Sequence, residues 1–116
     1  MSKEIITLSE EEVRTLAELK SPLHFKNDFD LIYESQIPNV GILFLKGELK
    51  ILKKKKVLST PPLGSLIGLY HLMHNTPLPM GVKVCKNTSV IMIEKSTVLE
   101  ALAQKSGTLY QIISNL

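Results

Sequence analysis

Several features that define large classes of proteins are missing from this sequence. A single cysteine, Cys85, excludes an intramolecular disulfide and favours a reducing compartment. No segment approaches the roughly 18 uninterrupted apolar residues of a membrane span, and residues 1–12 lack the apolar core of a secretory signal. We therefore expect a cytoplasmic protein without a membrane span.

Aromatic side chains are also scarce, at 5% of the residues, and this matters for the lysine run 53–56. The run has no interleaved aromatic residue for base stacking and no arginine for reading base edges, and no helix-turn-helix pattern follows it. We therefore expect no nucleic-acid partner. One interpretation of the run is a solvated hairpin tip that guards a sheet edge, and the other is a docking point for an acidic partner.

The composition is that of a globular protein. The 116 residues are 44% apolar and 22% charged, with a formal net charge of +3. This length suits one domain over residues 1–116. It is too short for a sensor joined to a separate output module.

The first predicted element is a helix with a strong start signal. Ser9 can cap it while Glu12 completes a capping box, and Leu8 and Val13 have the spacing of a hydrophobic staple. We expect this helix to end at Pro22, because proline interrupts helical hydrogen bonding.

The middle of the chain changes to short apolar runs separated by turn residues, which predicts antiparallel strands. Within them, charged and apolar residues alternate after Gly47, so that this strand should have one wet and one dry face. The predicted strand regions are residues 23–26, 30–34, 41–52, 56–60, 81–86 and 89–95.

The C-terminal part of the sequence predicts helices again. Ser96 or Thr97 is expected to cap a helix through residues 98–104, and Gly107 to end it. One more apolar stripe follows at helical spacing, formed by Leu109, Ile112, Ile113 and Leu116.

Residues 64–82, GSLIGLYHLMHNTPLPMGV, resemble the phosphate-binding cassette of the cyclic-nucleotide-binding domain family. That cassette runs roughly G-D-x-F-G-E-x-A-L-L-x-x-x-P-R-x-A-T-V. The order and spacing of the other segments resemble the family over nearly the whole chain, although Glu34-Ser35 stands where the family has a Glu-Gly turn and Asn27-Asp28 where it has a glycine. The cassette positions that match are Gly64, Gly68, Leu72, Met73, Pro77 and Val82.

This resemblance implies a mainly β fold with flanking helices, an antiparallel double-stranded β-helix of the β-roll or jelly-roll type. In the family, the acid after the second cassette glycine holds the ribose 2′-hydroxyl, and the arginine after the proline holds the cyclic phosphate. Leu69 and Leu78 occupy those two places here. Pro79 has no N–H group, and Met80 has no hydroxyl group, so the next positions lack polar contacts as well.

These replacements predict that the chain does not bind a cyclic nucleotide. Burying a phosphate without a cationic partner is costly, and losing two charge-assisted contacts of about 1.5–3 kcal/mol each moves a micromolar ligand into the millimolar range or beyond. We expect Leu69, Leu78 and Met80 to fill the pocket as ordinary core. Alternatively, free N–H groups at residues 68–70 still hold an anionic metabolite. The vestigial pocket comprises Gly68, Leu69, Tyr70, Leu78, Pro79 and Met80.

The residues that could carry metal or catalytic chemistry do not form a recognisable set. His71 and His74 have a spacing that could place both rings on one helical face, but no third metal ligand lies near them. Cys85 with a histidine, or Ser65 with His71, matches no nucleophile motif. We therefore predict no catalytic residue, no metal and no cofactor.

The resemblance also bears on output. Family members usually continue into a long helix and a DNA-binding, kinase-inhibiting or channel module, whereas this sequence ends at Leu116 after a stripe too short for a coiled coil. We predict a non-enzymatic regulatory or adaptor domain whose partner is another protein. The alternative is a small-molecule sensor with altered specificity, binding cAMP, cGMP or another ligand in a remodelled pocket.

Overall fold

The computed structural model describes residues 3–116, so Met1 and Ser2 of the predicted domain lie outside the described residues. The predicted class is confirmed, because the chain is mainly antiparallel β with flanking helices. The strands are β1 (Ile5–Thr7), β2 (Leu23–Phe25), β3 (Phe29–Ile32), β4 (Val40–Lys46), β5 (Leu49–Lys53), β6 (Lys56–Ser59), β7 (Ser65–Ile67), β8 (Gly81–Val84) and β9 (Thr88–Glu94). The helices are α1 (Glu10–Leu16), α2 (Leu69–His74), α3 (Lys95–Gln104) and α4 (Thr108–Ser114).

The strands form two antiparallel sheets that pack face to face. One sheet has five strands in the order β1-β7-β4-β9-β2, and the other has four in the order β3-β8-β5-β6. Alternation along each strand directs apolar side chains to the space between the sheets. The buried cluster there is Ile32, Ile42, Phe44, Leu49, Ile51, Ile67, Leu78, Val82, Val84 and Val90.

The helices cover the other face of the five-stranded sheet. Leu43, Leu66 and Ile91 point away from the inter-sheet cluster and pack against Leu16 of α1 and Val98 of α3. The predicted C-terminal stripe belongs to this helix-side cluster, since Leu109, Ile112 and Ile113 are buried and Leu116 is partly buried. The apolar face of the final helix is therefore buried in the core.

The capping box at α1 is confirmed, but the end of that helix is not where the sequence predicted. Ser9 Oγ accepts the N–H of Glu12 at 3.1 Å, and Glu12 Oε1 accepts the N–H of Ser9 at 2.9 Å. The helix ends at Leu16 and not at Pro22. Tighter turns follow, in which the N–H of Leu19 donates to the Leu16 carbonyl, and both Leu19 and Lys20 are exposed, so no core contact extends the helix.

The structure differs from the sequence prediction in two further respects, two short strands and the cap of α3. Strands β1 and β7 have only three residues each, and their pairing with each other joins distant parts of the sequence, so periodicity did not predict them. The residue that caps α3 is Glu94 and not Ser96 or Thr97. Because β9 runs directly into α3, the extended Glu94 is followed at once by helical Lys95.

Candidate functional site

The cassette forms a strand, a one-and-a-half-turn helix and a return loop. Strand β7 leads into Gly68, which has a φ of +81°, and α2 then begins at Leu69 and ends before Asn75. The N–H of Gly68 donates to the Glu4 carbonyl at 2.9 Å, and the Gly68 carbonyl accepts from the N–H of Leu72 at 2.9 Å. The turn that the resemblance predicts at Gly68 is therefore present.

Leu78 lies in the interior between the two sheets, with 0% of its surface exposed. Its N–H donates to the Gln36 carbonyl at 2.9 Å, and its carbonyl accepts the N–H of Ser35 at 2.8 Å. The turn that supplies these groups is held by the Gln36 amide, whose Oε1 accepts the N–H of Tyr33 at 2.9 Å. Both backbone groups of Leu78 are thus bonded within the protein, and its side chain contributes only apolar contact.

Leu69 is also buried, but the structure places it elsewhere. It belongs to the helix-side cluster together with Leu72, its neighbour one turn along α2. It packs closely over Gly41 of β4, where a Cβ would lie 3.1 Å from Leu69 Cδ1. The sequence predicted that Leu69, Leu78 and Met80 pack together. Leu78 and the partly buried Met80 do pack together between the sheets, whereas Leu69 lies on the helix side.

Tyr70 and Pro79 line neither cluster. Tyr70 is half-buried, its ring centroid lies 4.2 Å from that of His74 and 5.3 Å from that of His71, and the Lys3 ammonium is 5.0 Å from it. Pro79 is half-buried in the return loop. The predicted pocket residues therefore do not line one cavity, because they divide between the inter-sheet core, the helix-side core, the start and surface of α2, and the return loop.

Among the cavities along residues 3–116, five have linings that include none of Leu69, Leu78, Pro79 and Met80. The largest of them, about 530 Å³, lies beside the start of α3. The smallest, about 160 Å³, is a shallow depression on the four-stranded sheet. Between the sheets, Leu78 and Met80 pack against the buried apolar cluster.

The candidate nucleophiles are held in hydrogen bonds that do not activate them. Ser65 Oγ donates to the Pro62 carbonyl at 2.7 Å. The Cys85 thiol donates to Glu48 Oε1 at 3.3 Å, and burial, followed by this hydrogen bond and the Glu48 charge, raises the pKa of the thiol. A raised pKa disfavours the thiolate, which is the reactive form.

The histidine pair does not extend to a metal site in the part of the chain that the structure describes. His74 is exposed, whereas His71 is half-buried and its Nδ1 has no hydrogen-bond partner. No group of three or more His, Cys, Asp or Glu side chains that could hold a metal occurs within residues 3–116.

The lysine run lies at a hairpin tip, as one interpretation of the sequence predicted. Lys53 and Lys56 pair across β5 and β6, and the turn between them consists of Lys54 and Lys55, with φ of +52° and +65°. The N–H of Lys54 donates to Glu34 Oε1 at 2.7 Å. Strand β6 is the edge strand of its sheet.

Sequence reasoning missed the part that residues 33–36 play. This turn bonds Leu78 on one side and, through Glu34, the lysine hairpin on the other. A signal was present, since Ser35 stands where the resemblance places a glycine and its φ is +69°. A position that favours positive φ indicates a tight turn.

Among residues 3–116, no helix is both long enough and apolar enough to cross a membrane.

Comparison with known proteins identifies structural and not sequence similarity. No protein-family model matches this sequence, and no curated protein matches it. A protein of a cyclic-GMP-dependent signalling pathway that regulates bacterial phytopathogenesis matches at a TM-score of 0.78 and 9% identity, over 94% of this chain and 90% of the other.

Two further solved structures are similar in fold. A cyclic nucleotide-binding domain from Methylobacillus flagellatus KT matches at a TM-score of 0.72 and 20% identity, over 91% of this chain and 62% of the other. The catabolite activator protein of Thermus thermophilus matches at 0.71 and 14%, over 93% of this chain but only 53% of its own length.

Proposed function

We propose that this chain, whose fold is the antiparallel β-roll of cyclic-nucleotide-binding domains, is a non-enzymatic regulatory or adaptor domain that binds another protein without a cyclic nucleotide. The proposed domain is residues 1–116. The single cysteine supports a reducing compartment such as the cytoplasm.

The observation that carries this proposal is the position of Leu78. A cyclic nucleotide brings a phosphate anion that must be paired when it is buried. At Leu78, the side chain is fully enclosed by apolar neighbours and both backbone groups are already bonded to residues 35 and 36. An anion entering there would displace core packing and find no cation, at a cost of several kcal/mol.

Absence of enzyme activity is supported by the two candidate nucleophiles. The Ser65 hydroxyl is bonded to a backbone carbonyl, and the Cys85 thiol is bonded to a carboxylate that holds its proton. A backbone carbonyl cannot take the Ser65 proton, and the raised pKa of the Cys85 thiol disfavours the thiolate that would act as nucleophile.

The experiment that separates the adaptor from the altered sensor is thermal unfolding with a panel of small molecules. The panel contains cAMP, cGMP and uncharged metabolites, each at about 1 mM. A native-state ligand at 100 times its Kd stabilises by about 2.7 kcal/mol, which raises the Tm of a domain of this size by several degrees. We expect every compound to leave the Tm within about 1 °C.

A matched pair of variants interprets any compound that does raise the Tm. Leu78→Met alters the inter-sheet core and Leu109→Met the helix-side core, and both are volume-conserving changes. If a compound stabilises Leu109→Met but not Leu78→Met, the proposal of an adaptor is wrong and the protein is a sensor that binds the compound in the vestigial pocket.

A further inference from the structure

Positive charge is concentrated on one side of the four-stranded sheet. The hairpin tip carries Lys53, Lys54, Lys55 and Lys56, all exposed. Lys50 of β5 and Lys83 of β8 are register partners. Their neighbours along both strands are buried between the sheets, so the two lysines lie on the outer face, which continues from the tip.

Apolar side chains are exposed among these lysines. Tyr33 is 66% exposed, Val57 52% and Leu58 56%. Val57 pairs with Leu52 on the outer face, beside the shallow depression of about 160 Å³ lined in part by Tyr33, Leu52 and Lys55. Lysines that only guard a sheet edge need no such neighbours, because exposed apolar groups at an edge promote association.

The tip is held in a conformation that its residues do not favour. Lys54 and Lys55 both have positive φ, the geometry of a two-residue turn for which Asn-Gly is the preferred sequence. Glu34 fixes this turn by accepting the N–H of Lys54. Strain of this kind persists where the surroundings maintain it, and it often accompanies function.

We infer that this surface, called here the basic hairpin surface and formed by Tyr33, Lys50, Leu52, residues 53–58 and Lys83, docks an acidic segment of a partner protein. The segment would carry Asp or Glu on both sides of an apolar side chain, so that the acids meet the lysines and the apolar group meets Leu52, Val57 and Tyr33. This inference rests on the proposed function and adds the chemistry of the partner.

A protein segment fits the basic hairpin surface better than a nucleic acid does. The chain's arginine, Arg14, is on α1 and not on this surface. The exposed Val57 and Leu58 are aliphatic and cannot stack on bases, whereas they suit an apolar anchor of a peptide.

The test is selection of a random-peptide display library on the wild-type protein, followed by measurement of the Kd of the selected peptides by fluorescence polarisation. We expect the selected peptides to be enriched in Asp and Glu around an apolar residue, and their binding to weaken as salt is raised. Three double variants are then compared with the wild type.

The decisive variant is Lys54→Asn with Lys55→Gly. It relaxes the turn, so the Tm should rise, and yet it removes two lysine side chains, so we expect the Kd to increase about tenfold. Charge reversal by Lys54→Glu with Lys55→Glu should weaken binding further. The matched control is Lys26→Glu with Lys95→Glu, which reverses the charge of two exposed lysines, one just after β2 and one at the start of α3. It should change the Kd less than about twofold.

The inference is overturned if the selected peptides show no excess of acidic residues, or if the control variant weakens binding as much as the hairpin variants do. It is equally overturned if duplex DNA, RNA or phosphatidylserine vesicles bind through the hairpin lysines while acidic peptides do not. These outcomes are distinct from failure of the proposed function, which would appear as stabilisation by a cyclic nucleotide or metabolite whatever the hairpin variants do.

Discussion

At the scale of single residues, the functional interpretation depends on what a side chain offers to a ligand. Leu78 stands where the resemblance implies a guanidinium, and it is enclosed in the inter-sheet core. A guanidinium supplies up to five donors in a planar fork, whereas an aliphatic side chain supplies none. At this position the chain therefore offers apolar packing where the resemblance implies a charge-assisted donor.

Cys85 allows a test of the site chemistry through its pH dependence. Burial raises the pKa of this thiol, and the hydrogen bond and negative charge of Glu48 raise it further. Because alkylation requires the thiolate, iodoacetamide should react more slowly at pH 8 with the folded than with the unfolded protein, and the rate should still be rising at a pH where a free thiol has levelled off.

Glu48→Gln removes the charge and should lower the pKa, so that the alkylation rate at pH 8 rises about two- to fivefold. Asp30→Asn is the control, since Asp30 is an exposed carboxylate that does not contribute to this pKa. Equal alkylation rates for Glu48→Gln and the wild type would show that Glu48 does not raise the pKa of Cys85.

At the scale of elements, the turn from β4 to β5 depends on one glycine. Gly47 has a φ of +98°, and a Cβ there would lie 2.6 Å from Thr88 Cα. Thr88 is itself bonded to both backbone groups of Glu48. Gly107 has nearly the same φ, +97°, but a Cβ at that position would meet no heavy atom within 4 Å.

These two glycines form a matched pair that separates backbone strain from crowding. Gly107→Ala should lower the free energy of unfolding by about 1–3 kcal/mol, the cost of holding a residue with a Cβ at a φ of +97° and a ψ of 171°. Gly47→Ala adds overpacking against Thr88 and should lower it by about 3 kcal/mol or more. Urea denaturation measures both values, and equal losses would mean that the contact with Thr88 is not tight.

Local signals predicted some elements well because their causes are local. The capping box of Ser9 and Glu12 involves residues three apart, and Gly47 separates β4 from β5 through its own backbone. Gly107 was expected to end α3, but that helix already ends at Gln104, with Lys105 as its C-cap, and Gly107 is the N-cap of α4. The helix α1 ends where its side chains stop contacting the core, and the short strands β1 and β7 depend on pairing between distant segments. The pattern of one segment contains neither kind of information.

The candidate site was predictable to a similar extent. The resemblance located the cassette, and the burial of Leu78 agrees with the expectation that it joins the core. The direction of Leu69 was not predictable, because it depends on α2 beginning at that residue and on the space above Gly41. The role of residues 33–36 in covering Leu78 also required the folded structure.

At the scale of the whole molecule, the chain has two apolar cores on opposite faces of the five-stranded sheet. Leu78 contributes to one core and Leu69 to the other. The chain has the fold of cyclic-nucleotide-binding domains. The two residues that the resemblance places at nucleotide contacts belong to different layers of it. The outer face of the four-stranded sheet carries the basic hairpin surface that we propose for docking.

The central claim is that the interior of this β-roll is closed to cyclic nucleotides, and titration calorimetry of the intact protein with cAMP and cGMP tests it most directly. We predict no saturable binding heat at nucleotide concentrations up to about 1 mM, because the charge-assisted contacts worth about 1.5–3 kcal/mol each are missing. A one-to-one isotherm with a micromolar Kd for either nucleotide would contradict the account.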